Sequence, residues 1–174
     1  MKKLIATVFC ALAIAGNVMA APTVAAGFSR GEPSAKAVVL RAIADAKTTL
    51  HIAAYQLTSP DIIRAIIAAH KRGVTVAVML DRTQASGDSQ AAMVASGIAC
   101  RIDGTYRIFH HKFMVVDGVS VEVGSFNYTL SADRSNAENA LYIRNAPGLA
   151  KRYTAEFDRS WALPKTTPCP GGGQ

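Results

Sequence analysis

Apolar residues recur along this chain in two alternating rhythms. Residues 24–29, 50–55, 74–80 and 99–102 are short apolar or alternating runs, the pattern of strands. Between them, residues 35–46 place Val38, Val39, Ile43 and several alanines on one side at helical spacing, and Ile62, Ile63, Ile66 and Ile67 repeat the pattern up to Arg72. Ser59 is the expected N-cap of that second helix, Pro60 suits its first turn, and Gly73 ends it. Residues 89–95 predict a shorter helix. The run at 74–80 is apolar enough for the middle of a sheet covered on both faces. Strands alternating with helices predict an α/β sandwich, a mixed and partly parallel β-sheet flanked by helices.

The second half of the chain continues the alternation. Residues 113–116 are continuously apolar and 119–123 alternate, so the intervening Asp117-Gly118 predicts a tight hairpin. Side chains along a strand alternate faces, which places His110 and Lys112 on one side and His111 and Phe113 on the other. By that parity His111 takes no part in the chemistry. Ser125 and Asn127 repeat the His110 parity just past the second strand, so the hairpin brings a His-x-Lys pair to a Ser-x-Asn pair at one end of the sheet. Residues 130–136 read as a polar loop and 139–144 as a last strand. From Pro147 to Trp161 a helix carries Leu149, Tyr153, Phe157 and Trp161 on one stripe, a core or subunit-interface face.

An imidazole, an ammonium, a hydroxyl and an amide converging at one point suit a phosphodiester. Lys, Ser and Asn donors bind non-bridging oxygens and the charge that grows on them during transfer. Histidine near neutral pH can attack phosphorus or protonate a leaving oxygen. This inventory demands no metal and no other cofactor. Ser125 and Asn127 are also favoured turn residues, and Asp117 is suited to an Asp-Gly turn whether or not it has a second role.

His110-x-Lys112, four residues, Asp117, six residues, then Gly124-Ser125-x-Asn127 is the signature of the phospholipase D superfamily without gap or substitution, and the chain resembles the small, single-motif bacterial endonucleases of that family. The resemblance extends from about residue 27 to 161 and implies a metal-independent reaction through a phosphohistidine, at an active site shared by two copies. It implies His110 as nucleophile in one subunit and general acid in the other. Lys112, Ser125 and Asn127 would bind the phosphate. Asp117 would belong to the catalytic set as an orienting or ion-pairing group, and Glu138 would accept a hydrogen bond from His110, a surface carboxylate being the other reading of Glu138. The implied function is an endonuclease acting on DNA or RNA as a homodimer. A phospholipase D-type lipid hydrolase and a catalytically silent nucleic-acid-binding dimer are the alternatives; short length and the lack of a hydrophobic surface loop favour the nuclease.

Residues 1–20 read as a secretory signal peptide: Lys2 and Lys3, an apolar centre, and small residues before Ala21. The apolar run is short for a span, which needs about 20 residues, so the mature form is expected in the periplasm or secreted, without stable membrane insertion. The 19 Lys and Arg against 12 Asp and Glu give +7, and loss of the two signal lysines leaves +5, a balance that suits a polyanionic substrate. Cys100 and Cys169 remain, an even pair in an oxidising compartment, which makes a disulfide possible. Residues 21–163 read as one nuclease domain and 164–174, rich in Pro and Gly, as a flexible tail. Tyr106 and Arg107, leading into His110, are candidate substrate contacts, and Arg82, on the polar loop 81–87 after a central strand, reads as a solvated loop arginine with a phosphate contact as the alternative.

Overall fold

The computed structural model describes residues 20–85 and 87–170, so the expected signal peptide lies, except for Ala20, outside the described residues. The elements run β1 (Thr23–Phe28), α1 (Ala35–Asp45), β2 (Thr49–Ala54), α2 (Pro60–Lys71), β3 (Thr75–Asp81), α3 (Gly87–Ala95) and β4 (Ala99–Asp103), then β5 (Lys112–Val116), β6 (Ser120–Gly124), α4 (Leu130–Arg134), β7 (Asn139–Arg144), α5 (Pro147–Trp161) and β8 (Thr167–Pro168). All eight strands form one sheet in the order β1-β7-β6-β5-β2-β3-β4-β8. β2, β3 and β4 are parallel neighbours joined through α2 and α3, and the other pairings are antiparallel. The mixed, partly parallel sheet is as expected.

Strand parity sorts the core into two. Leu50, Ile52 and Ala54 of β2, with Met114 and Val116 of β5, face α1, α2 and α3, where Val38, Val39, Ile43, Ile62, Ile66 and Met93 complete one apolar cluster. Ala53, Phe113, Val115 and Val121 face the opposite way, onto Ala150 and Phe157 of α5. Burial on both faces explains why β2, β3 and β5 read as nearly continuous apolar runs. The aromatic stripe of α5 is core: Phe113 meets Tyr153 edge-on at 4.9 Å, and His51 stacks on Phe157 at 4.6 Å.

Three local expectations change. The polar segment at 130–136 contains the short helix α4, capped by Thr129, whose Oγ1 accepts from the Ala132 N–H at 3.1 Å. Ser59 stands at the N-cap of α2 but makes no side-chain cap bond; its backbone N–H donates instead to the Tyr128 carbonyl at 2.9 Å. The expected flexible tail is anchored as far as Pro170. β8 pairs with the edge of β4, Thr166 is buried, and Cys169 is bonded to Cys100 with their Cα atoms 5.3 Å apart. Composition could not reveal this, because two strand residues and one covalent bond hold a Pro-rich segment that has little apolar surface of its own.

Candidate active site

The Asp117-Gly118 hairpin forms as expected, with both residues at positive φ (53° and 65°), the conformation of a tight turn that matches strand twist. Phe113 pairs with Val123. The chain therefore enters β5 and leaves β6 at the same end of the sheet, and there His110, Lys112, Ser125 and Asn127 line one open cleft of about 880 Å³. Gly124 has no alternative: a Cβ would stand 2.2 Å from the Asn139 carbonyl oxygen on β7. The motif glycine lets the strands approach where Ser125 turns into the cleft.

His110 is held from behind. Its predecessor Phe109 is buried and donates its backbone N–H to the Asp81 carboxylate at 2.5 Å, and Tyr55 N–H donates to the His111 carbonyl at 2.7 Å. The His110 ring lies 4.6 Å from that of Tyr55, tilted by 57°. Lys112 Nζ sits 5.1 Å over the same Tyr55 ring and donates to the His110 carbonyl at 3.0 Å. Burial lowers the His110 pKa below its ordinary 6.5, and the positive charges of Lys112 and His111 add to this against the opposing pull of Asp81. Neutral imidazole, the nucleophilic form, is thereby favoured at neutral pH. Burial also lowers the Lys112 pKa, with Glu138 acting in opposition.

Ser125 Oγ donates to Glu138 Oε2 at 2.5 Å and accepts from the Asn139 N–H at 3.1 Å, while Asn136 Nδ2 donates to Glu138 Oε1 at 2.9 Å. Glu138 is thus engaged with Ser125 and Asn136; the expected hydrogen bond from His110 is not made. Asn127 lines the cleft, and its Oδ1 is buried without a hydrogen-bond partner among the described residues.

Asp117 is at the other end of β5, five residues and roughly 16 Å of strand from Lys112. Its carboxylate accepts from the backbone N–H groups of Lys47, Thr48 and Thr49 at 2.8–3.1 Å and from Thr48 Oγ1 at 2.9 Å. Burial alone would raise its pKa, but these bonds to Thr48, Thr49 and Lys47 bring it below the usual value. The motif aspartate ties the hairpin to the α1–β2 connection, and a place in the catalytic set is corrected accordingly. His111 also departs from expectation. As strand parity predicts, it lies on the Phe113 side, edge-on to Phe109 at 5.0 Å and to Phe113 at 5.4 Å, but that side also borders the cleft, which His111 lines 3.3 Å from Glu156 of α5.

Sequence reasoning missed the opposite wall of the cleft, formed by Leu149, Arg152, Tyr153 and Glu156 of α5. The apolar stripe identified this helix as core, and only its half-exposed border faces the motif. The candidate contacts Arg82, Tyr106 and Arg107 do not line the cleft. Tyr106 is instead bonded through its hydroxyl to Arg159 Nη2 at 2.9 Å.

The profile of the family described as "Cardiolipin synthase, PLD-like domain" matches residues 39–161. The chain belongs to the phospholipase D superfamily of phosphodiesterases. Within it, the fold and extent are those of a single-domain Nuc-like protein: the crystal structure of the phospholipase D family member Nuc from Salmonella typhimurium is 39% identical, superposes with a TM-score of 0.80, and is matched over 85% of this chain and 98% of its own. The mitochondrial cardiolipin hydrolase of Xenopus tropicalis is 37% identical over 118 residues, 67% of this chain and 56% of the relative, and a phospholipase D of Rickettsia prowazekii is 33% identical over 135 residues, 74% and 62%. The chain spans little more than half the length of the cardiolipin hydrolases.

Proposed function

We propose that this protein is an exported endonuclease that hydrolyses DNA, and RNA where strands are accessible, as a homodimer with a shared active site. The observation that carries this reading is a favourably neutral imidazole, His110, set beside Lys112, Ser125 and Asn127 in an open cleft. A His110 ring nitrogen attacks phosphorus and forms a P–N bond as the P–O bond to the leaving group breaks. His110 of a second copy gives its proton to the departing oxygen. It then takes a proton from water, whose oxygen attacks phosphorus and breaks the P–N bond. Lys112, Ser125 and Asn127 hold the phosphoryl oxygens as charge builds on them.

The single histidine of this type in the chain supports dimerisation, since the second proton-transfer role needs another group. The Cys100–Cys169 bond and the amino-terminal pattern support export to an oxidising compartment. Among the described residues, no helix is long and apolar enough to cross a membrane. A second reading, hydrolysis of an anionic phospholipid, is favoured by the relatives named cardiolipin hydrolase and phospholipase D.

The test is digestion of plasmid and single-stranded DNA in excess EDTA by the wild type and His110→Ala, with cardiolipin vesicles in parallel. Cleavage of DNA by the wild type alone supports the nuclease. Turnover confined to the vesicles overturns it in favour of the lipid reading.

A further inference from the structure

The cleft has two walls, and the motif accounts for one. Its volume of about 880 Å³ is near the top of the roughly 300–1,000 Å³ of small-molecule sites. On the α5 wall the acidic group is already satisfied: Glu156 accepts from Arg159 at 2.5 and 2.9 Å, lies 3.3 Å from His111 Nε2, and is 3.3 Å from Ser160 Oγ. Those contacts and the pull of Arg159 hold its carboxyl below the ordinary range, so it stays ionised with its charge met. Arg152, one turn earlier, lines the same cleft, is exposed, and has no ion-pair or hydrogen-bond partner among the described residues. Beside it Tyr153 is half-buried, its ring braced edge-on by Phe113 at 4.9 Å.

An unmatched guanidinium next to a braced aromatic ring is a pairing that suits a nucleotide: an anionic phosphate for the first, a base face for the second. We propose that the α5 wall is a second phosphate subsite, in which Arg152 binds the phosphate neighbouring the scissile phosphodiester of a polynucleotide and Tyr153 supports the intervening nucleotide. This inference deepens the nuclease reading and rests on it.

The experiment compares a short single-stranded oligonucleotide with bis(4-nitrophenyl) phosphate, a diester with no neighbouring phosphate, for the wild type, Arg152→Ala and Arg152→Lys. Loss of one charge-assisted contact, at about 1.5 kcal/mol or more, raises KM for the oligonucleotide at least about tenfold in Arg152→Ala. The change on the small diester is much smaller, kcat on the oligonucleotide stays within about twofold, and Arg152→Lys recovers part of the affinity. The slope of log affinity against log salt also falls by roughly one unit in Arg152→Ala. An unchanged oligonucleotide KM, or equal losses on both substrates, overturns the subsite while leaving the nuclease intact. A wild type that cleaves the small diester but no polynucleotide overturns the nuclease reading itself.

Discussion

Glu122 is on β6, two residues before Gly124, and is 1% exposed. It is flanked across the sheet by Met114 and Tyr142, and its carboxylate accepts from the Tyr128 hydroxyl at 2.8 Å. Burial pushes its pKa up to about 8, against the opposing effect of the Tyr128 bond. The raised value means that the folded state holds a proton which the unfolded chain releases near 4.5, so stability falls as pH rises from about 4.5 to 8. A difference of about 3.5 units at 1.36 kcal/mol each corresponds to about 5 kcal/mol, comparable to the whole stability of a marginal domain. Glu122→Gln removes the titration and keeps an oxygen for Tyr128, but it buries an amide N–H group without a partner at a cost of about 1–3 kcal/mol. The variant is therefore less stable than the wild type at pH 5 and more stable, by about 2–4 kcal/mol, at pH 9. Urea unfolding at pH 5, 7 and 9, followed by Trp161 fluorescence and circular dichroism, measures both curves. Curves that run parallel across this range would refute the reasoning, because the difference between the two proteins isolates this one carboxyl.

Other predictions test the division of labour around the motif. Asp117→Ala removes the acceptor of four hydrogen bonds and destabilises the fold by about 2–4 kcal/mol, seen in thermal melts, while kcat per folded molecule stays near the wild-type value. Glu138→Ala frees Ser125 and lowers kcat by about tenfold to a hundredfold, yet leaves the acidic limb of the pH profile in place, as a partner of Ser125 and not of His110 should. That limb, in kcat/KM of the wild type, falls at a pH below 6.5 because His110 ionises less readily than a free imidazole. Cys169→Ser opens a link across 69 residues and costs up to about 4 kcal/mol in urea unfolding, with β8 the first segment to gain hydrogen exchange.

The sequence made the sheet and its helices legible because both faces are covered: Ile52 and Ala53 are both buried, facing opposite layers, and such runs stand out from turn residues. The His110, Lys112, Ser125 and Asn127 cluster was legible because a two-residue turn fixes how far β5 and β6 run together. What failed were arguments from position alone. Parity placed His111 beside Phe113, as the structure does, but that side was read as away from the cleft when α5 closes the cleft there, and proximity along the chain suggested Tyr106 and Arg107, whose segment is turned aside where the buried Asp103 carboxylate accepts the Thr105 and Tyr106 backbone N–H groups. The α5 wall stayed hidden for a different reason. Arg152 and Glu156 occupy polar helical positions like those of any surface helix, and only the fold places that face across the cleft from residues some forty positions earlier.

The motif's spacing has a physical meaning that follows from these placements. Four residues between Lys112 and Asp117 are the remaining length of β5, and six between Asp117 and Gly124 are the turn and β6. A deletion or insertion in either strand would rotate one wall of the cleft to the other face of the sheet, since the side-chain period is two. Asp117 fixes the far end of the hairpin to the α1–β2 connection, and Gly124 admits the β7 backbone at the near end. These two residues keep the register in which His110 and Lys112 meet Ser125 and Asn127. The signature therefore contains two kinds of residue, those that meet the phosphate and those that hold the ruler, and a mutation at Asp117 or Gly124 should be read first in stability and only then in rate.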